Sequence, residues 1–263
     1  MARSVLRLAV GNGFAVEDLR ILERTETLSA AYTVTGYRLV FVRRGLFRLK
    51  LPRWDGLVDP LVAYVQAPGA EQRIAHRPER EDACTVIALD DALAADLLPA
   101  RLPARPLITN GRVDLAQRTL LAKARQGADE FELTDRVSLI AAQLFDERHD
   151  LPSAPSAHRR LADAARELLG TDPAWSSFGA LAGELHVSRP HLSRVFRAVT
   201  GESLTNFRAR LRVRAALDQL EAGQQNLADL AAELGFADHA HLTRTLRAEL
   251  GSTPTQIRHL LRA

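Results

Sequence analysis

Cysteine is nearly absent: Cys84 is the single one in 263 residues. A lone thiol excludes an intramolecular disulfide and a cysteine-built zinc site, and it fits a protein of the reducing cytoplasm. Its segment, Ala83-Cys-Thr-Val-Ile-Ala-Leu89, is apolar, so a packed core thiol is the first reading and a redox sensor the second. Histidine is scarce where a metal-dependent enzyme would need it, because His76 is the only one within residues 1–100. A catalytic metal site requires clustered His and carboxylate ligands, so neither a metal nor another cofactor is expected. No apolar run reaches the roughly 18–20 residues of a membrane span, so no membrane partner is expected. Met1 to Val10 contains Arg3 and Arg7 and lacks a sustained apolar core, which argues against a signal peptide. Gly11-Asn-Gly13 lacks the Lys-Ser/Thr and the strand–helix context of a phosphate loop.

Lysine is also rare. It occurs only at Lys50 and Lys123, so 33 of the 35 basic residues are Arg. Genome base composition can produce that bias, and it identifies no partner by itself. Placement says more. Residues 1–155 hold 21 basic and 21 acidic side chains; residues 156–263 hold 14 and 11, which is the whole net charge of +3.

The two parts differ in pattern. Residues 37–43 (Tyr-Arg-Leu-Val-Phe-Val-Arg) and 46–51 (Leu-Phe-Arg-Leu-Lys-Leu) are short runs of strand formers. Arg44-Gly45 between them predicts a tight turn. Further strands are predicted over 14–21, 61–66, 71–76 and 83–89, with turn signals such as Pro68-Gly69. Many short strands suggest a small sandwich or barrel over residues 1–104. Trp54 is a candidate for lining a ligand pocket, or for simple packing. Helical spacing begins at 111–126 and 133–147. Leu115 and Leu121 can serve a dimer seam or ordinary packing, and 105–150 is assigned as a helical extension. Leu151-Pro-Ser-Ala-Pro-Ser-Ala-His158 reads as a linker. From 159 to 263 every pattern is helical. One stripe carries Leu161, Ala165, Leu168 and Leu169, and Ser176 or Ser177 caps the next helix.

An internal repeat organises this last part. Leu192-Ser-Arg-Val-Phe-Arg-Ala-Val-Thr-Gly201 matches Leu242-Thr-Arg-Thr-Leu-Arg-Ala-Glu-Leu-Gly251 at an offset of 50. Upstream, Ala182-Gly-Glu-Leu-His-Val187 matches Ala231-Ala-Glu-Leu-Gly-Phe236 at an offset of 49, so the second turn is one residue longer. Two copies of a helix–turn–helix, joined by a helix over 203–222, follow. Ala182 and Ala231 allow close crossing; Gly235 and His186 occupy a turn position that suits positive φ. The second helix of such a unit fits a major groove. Leu192, Val195, Phe196, Leu242 and Leu246 face inward. Ser188 and Asp238 are the expected N-caps. The candidate DNA-binding residues are Ser188, Arg189, Pro190, Ser193, Arg194 and Arg197 in the first unit. In the second they are His239, Ala240, Thr243, Arg244 and Arg247, with His241 in a packing role. Arg208, Arg210, Arg212 and Arg214 spread around the connecting helix, so one or two are expected at phosphate and the rest in solvent.

These residues resemble the DNA-binding domain of the AraC/XylS family of bacterial transcription regulators. The specific pattern stands here as Leu227, Ala231, Gly235, Phe236, Asp238, Leu242, Arg244, Arg247, Gly251, Pro254 and Arg258. Family members often carry aromatics where this chain has His241, Leu246 and Ile257. Pro190 stands where the family often reads a base, and Pro has no donor to offer. The resemblance implies an α+β protein: an N-terminal cupin-like β-barrel with a helical extension, then an all-α double helix–turn–helix. It implies a cytoplasmic, non-enzymatic regulator, with double-stranded DNA as partner. A homodimer, a small-molecule effector in the first domain, transcriptional activation and a contact with RNA polymerase belong to the same expectation. The alternative is a small-molecule-binding or enzymatic cupin with an accessory helical interaction domain.

Overall fold

A computed structural model describes residues 2–24, 26–146, 155–171 and 177–262. The chain divides into two compact units, Met1–His149 with Leu260–Ala263, and Asp150–His259. Of the expected linker, 151–154 lie outside the described residues, and Ser156 to His158 already form the first turn of a helix.

The first unit contains β1 (Ala2–Gly11), β2 (Phe14–Leu22), β3 (Tyr32–Thr33), β4 (Tyr37–Arg44), β5 (Phe47–Leu51), β6 (Trp54–Val58), β7 (Val62–Gln66), β8 (Glu71–His76) and β9 (Glu81–Leu89). After these come α1 (Asp91–Leu97), β10 (Leu107–Ile108), α2 (Gly111–Arg125) and α3 (Glu130–Asp146). One sheet runs β1-β2-β9-β4-β7-β10 and the other β3-β8-β5-β6. Every pairing within them is antiparallel.

The strand sequences explain the layering. β4 is apolar at consecutive positions because both its faces are covered. Leu39 and Phe41 join a core with Val16, Ile87 and the helical residues Leu120, Val137 and Ile140. Val40 and Val42 join the opposite core with Phe47, Leu49 and Ile74 of the four-stranded sheet. β5 buries Phe47 and Leu49 and exposes Arg48 and Lys50, so it alternates as a one-sided strand should. The unit is therefore three layers: two helices, the larger sheet, the smaller sheet.

α2 is held by polar groups as well as apolar ones. Arg118 Nε donates to Asp114 Oδ1 at 3.3 Å, and its Nη2 donates to the Arg43 carbonyl at 3.1 Å. Arg43 pairs with Asp18, whose other oxygen accepts from Arg125 Nη2 at 2.8 Å. Gln117 links Asp114 to Thr85 on β9. Leu115 and Leu121 are buried in this unit's own interior, which favours packing over a dimer seam for α2.

Arg44-Gly45 is not a hairpin turn. β4 pairs with β7 and β9, whereas β5 pairs with β6 and β8, so the chain crosses there from one sheet to the other. Gly45 has φ 99°, and a Cβ on it would fall inside the Asp82 carboxylate. That carboxylate accepts from the Leu46 amide at 2.9 Å and from His76 Nδ1 at 2.6 Å. Trp54 opens β6 and packs against the core between the sheets.

A cavity of about 430 Å³ lies between the two sheets, with Val40, Val86 and Ile74 on its walls. Trp54 is not among its lining residues.

Gly127 also has positive φ (73°), but a Cβ there would meet open space. Gly127→Ala should cost about 1 kcal/mol through backbone strain alone. Gly45→Ala should cost clearly more than the roughly 1–3 kcal/mol of a strained backbone, because Asp82 must also move. Urea unfolding of the two variants checks this; equal losses would show that Asp82 yields freely.

Candidate nucleic-acid interface

The second unit is built from α4 (Ser156–Thr171), α5 (Phe178–Glu184), α6 (Arg189–Thr200), α7 (Leu204–Glu221), α8 (Leu227–Glu233), α9 (His239–Leu250) and α10 (Pro254–Leu261). On α4, Ala162, Ala165 and Leu169 are buried, while Leu161 and Leu168 are only half-buried. The apolar stripe is thus rotated slightly from its expected centre. Ser176 lies outside the described residues. Ser177 caps α5, accepting from the Gly179 amide at 3.1 Å.

The repeat in sequence is a repeat in hydrogen bonds. Leu185 N donates to the Leu181 carbonyl, and Leu234 N to Leu230, both at 3.2 Å. His186 N donates to Gly183 at 3.0 Å, and Gly235 N to Ala232 at 3.1 Å. Val187 N donates to Ala182 at 2.9 Å, and Phe236 N to Ala231 at 2.8 Å. Both turns pass through the left-handed region, at φ 53° for His186 and φ 70° for Gly235. The Cβ of Ala182 and of Ala231 is small enough for the following helix to approach.

The chain then caps the second helix. Ser188 Oγ accepts from the His191 amide at 3.4 Å; Asp238 Oδ1 accepts from the His241 amide at 2.6 Å. The extra residue of the second turn is Ala237, between Phe236 and the cap. Backbone hydrogen bonding from His241, and then the Arg244 guanidinium, hold the Asp238 carboxyl below its ordinary pKa. Pro190 sits in the first turn of α6, where no intrahelical donor is lost. Gly201 (φ 79°) and Gly251 (φ 71°) close the two helices, donating to Arg197 and Arg247 carbonyls at 2.9 and 3.0 Å.

This geometry sorts the side chains. Leu192 and Phe196 of α6, and Leu242 and Leu246 of α9, are fully buried; Val195 is nearly so. Ser188, Arg189, Pro190, Ser193, Arg194 and Arg197 are all exposed. His239, Arg244 and Arg247 are exposed, and Ala240 and Thr243 are half-buried. His191, by contrast, is half-buried and lies edge-on to His158 of α4, ring centroids 6.3 Å apart. His241 packs edge-on against Phe236 at 5.4 Å, yet remains exposed overall. Leu246 and Ile257 are fully buried, so aliphatic side chains fill those packing positions.

The arginines divide into two sets. Among the described residues, Arg189, Arg194, Arg197 and Arg247 make no ion pair, and Arg244 faces only its own helix cap. The connecting helix is different. Arg208 lies 4.3 Å over the Phe178 ring, and burial lowers its pKa. Arg210 pairs with Glu202 at 2.6 Å, and Arg212 lies 5.8 Å from the Phe236 ring centroid. Arg214 is 2% exposed. The expectation of a largely solvated set on α7 is therefore corrected: Arg214 belongs to the core, and Arg208 and Arg210 bind within the unit. An Arg at two-residue spacing on a helix gives no sign of this. The signals were the aromatics Phe178 and Phe236 in each first helix and turn.

A helix-turn-helix domain model matches residues 181–259. The chain is 31% identical over 74 residues to the regulatory protein SoxS of Salmonella typhimurium, covering 28% of this chain and 69% of SoxS. The chain belongs to the AraC/XylS family. It is also 34% identical over 80 residues to the uncharacterized HTH-type transcriptional regulator YfiF of Bacillus subtilis. That match covers 30% of this chain and 25% of YfiF, so it spans only a quarter of that AraC/XylS relative. Among solved structures, ToxT from Vibrio cholerae O395 aligns at 13% identity over 95% of this chain and 99% of that chain, with a TM-score of 0.38. An AraC-type regulator from Chromobacterium violaceum aligns at 22% identity over 40% of this chain and 95% of that chain, with a TM-score of 0.37. The family is one of DNA-binding transcription regulators, and no described helix is long and apolar enough to cross a membrane.

The turn geometry predicts opposite effects at its two copies. Gly235→Ala should destabilise by about 1 kcal/mol or more, since Ala does not accept positive φ readily. His186→Gly should leave stability unchanged or raise it by up to about 1 kcal/mol, by relieving the same strain. Thermal unfolding of both checks this. A destabilised His186→Gly would mean that the imidazole itself holds the turn.

Proposed function

We propose that this protein recognises specific double-stranded DNA by placing α6 and α9 in two successive major grooves and so regulates transcription. The observation that carries this reading is the division of the arginines. Among the described residues, those on the outward faces of the two second helices make no ion pair, Arg244 acting only on its own cap Asp238, whereas those on the connecting helix are engaged within the unit. Arg194, Arg197, Arg244 and Arg247 recur at matching positions of the two copies. An Arg can bond a guanine edge bidentately, and Ser193 and Thr243 can accept or donate to several bases. Arg189 and the N-terminal amides of α6 suit phosphate, which holds register without reading sequence. Pro190 contributes contact area but no donor, so α6 reads fewer bases than its position allows.

The net charge of the second part of the chain is only +3, which gives weak bulk attraction to DNA. Affinity then depends on paired sites, which favours a homodimer. The first unit offers a surface for one: α3 leaves Phe131 77% exposed and Leu139 53% exposed. A small-molecule effector in the cavity between the sheets would act by binding one conformation of the regulator better than another. Activation through RNA polymerase is the output this family reading favours, and the protein works in the cytoplasm.

A gel-shift with the DNA upstream of the protein's own coding region, with and without competitor, tests the reading. Preference over competitor is expected; its absence overturns sequence-specific regulation. Arg244→Ala should cost about 1–3 kcal/mol of binding and relax preference at one base position. Unchanged affinity and preference would place α9 outside the groove.

A further inference from the structure

The cavity between the sheets has an uneven chemistry. Leu19, Ile21, Val40, Ile74 and Val86 give it apolar walls. Its polar lining is rich in donors that are cationic or neutral. Arg3 of β1 reaches it, and among the described residues that guanidinium has no ion pair. Arg38 of β4 reaches it too; its link to Glu17 is long, 3.9 Å, and Arg7 binds the same carboxylate at 3.0 Å. Tyr64 is 4% exposed, its ring is edge-on to Phe47, and its hydroxyl has no hydrogen-bond partner among the described residues. That hydroxyl opens onto the cavity, so a ligand that accepts from it gains a hydrogen bond. Tyr32, half-exposed at 39%, stands between these groups: both Arg3 and Arg38 act electrostatically on its phenol, and Arg3 acts on that of Tyr64. Burial raises the pKa of both phenols, which keeps them as donors.

The remaining polar groups do not reverse this balance. Glu23 also lines the cavity, but its interactions are already taken up. His76 is tied through Nδ1 to Asp82 at 2.6 Å, with its ring against Phe47. Cys84 lines the wall with a thiol that burial pushes up to about 12, so it is a neutral group there.

We infer that this cavity binds a small organic acid, its apolar body against Leu19, Val40, Ile74 and Val86 and its carboxylate among Arg3, Arg38, Tyr32 and Tyr64. This deepens the effector reading above and rests on it only for the consequence at DNA. A carboxylate bonded by guanidinium and phenol donors in an apolar surround gains more than the corresponding alcohol, because charge-assisted hydrogen bonds are roughly twice as strong. A doubly charged phosphate would need more positive charge than two arginines beside Glu23 supply.

The test uses the full-length protein with decanoate, 1-decanol and decylamine as probes, by calorimetry on the wild type and on variants of the lining donors. Substitution of the lining donors then reports whether binding is at this site. Decanoate should bind about tenfold or more tighter than 1-decanol, and decylamine should not compete. Arg3→Gln should weaken decanoate and leave 1-decanol unchanged. Tyr64→Phe, which deletes one hydroxyl, should weaken decanoate in the same direction. Equal affinity for acid and alcohol, decanoate binding that neither Arg3→Gln nor Tyr64→Phe weakens, or no binding by any probe would overturn the proposal. Gel-shifts run with decanoate separate the two readings. Decanoate binding that Arg3→Gln weakens, with unaltered DNA affinity, removes the effector role and leaves the acid site standing; specific DNA binding with no decanoate binding does the reverse.

Discussion

The left-handed turn between the paired helices is the constraint on which the exposed faces of α6 and α9 depend. At His186 and at Gly235 the backbone must reverse within one residue so that α6 and α9 leave their turns at a fixed angle. Three hydrogen bonds, donated by that residue and its two neighbours, recur in both copies to within about the scatter of ordinary amide bonds. Everything outward follows. The turn places the N-cap, the N-cap sets the helix phase, and the phase decides which side chains are buried. Leu192 and Leu242 are thereby committed to the core, and Arg194 and Arg244 to solvent. The added Ala237 changes the approach to the cap without changing this phase, because Asp238 caps α9 as Ser188 caps α6.

Engagement of the α7 arginines has a physical logic of its own. A guanidinium over an aromatic face keeps much of its favourable electrostatics while losing water. Arg208 over Phe178 therefore ties α7 to the first helix of one copy, and Arg212 near Phe236 ties it to the turn of the other. Buried Arg214 completes the core between them. The connecting helix acts as a splint whose charge is consumed internally. Among the described residues, Arg189, Arg194, Arg197 and Arg247 keep unpaired positive charge on the exposed faces of α6 and α9, which concentrates the field there.

The second unit was legible in the sequence because its repeat is local. Caps, turn residue and apolar phase all fall within short windows, so Ser188, Asp238, Gly235 and the inward leucines could be assigned from spacing. Arg214 was not, because burial of an Arg depends on what surrounds a helix on every side. The first unit was legible strand by strand and less so in topology. β4 and β5 were visible, but their separation into different sheets rests on Asp82, thirty-seven residues after Gly45, filling the space a side chain would need. β1 escaped notice because it is an edge strand with most of both faces in solvent, which erases alternation. The cavity was invisible for a similar reason: Arg3, Arg38 and Tyr64 are brought together only by strand order.

The buried ionic network of the first unit adds specificity more than stability. Replacing such groups by well-packed apolar ones is often neutral or favourable, while removing one partner is costly. Asp18 joins Arg43 of the sheet to Arg125 of α2, and Asp114 joins Arg118 to Gln117 and Thr85. An apolar helix could slide by a turn on the sheet and still bury its leucines. With these groups any such shift would strand a charge, so α2 has one register. The same six-stranded sheet presents its other face to the cavity. The cavity walls therefore have a backing fixed in register, while Arg3 and Tyr32 reach the cavity from the thinly covered strands β1 and β3.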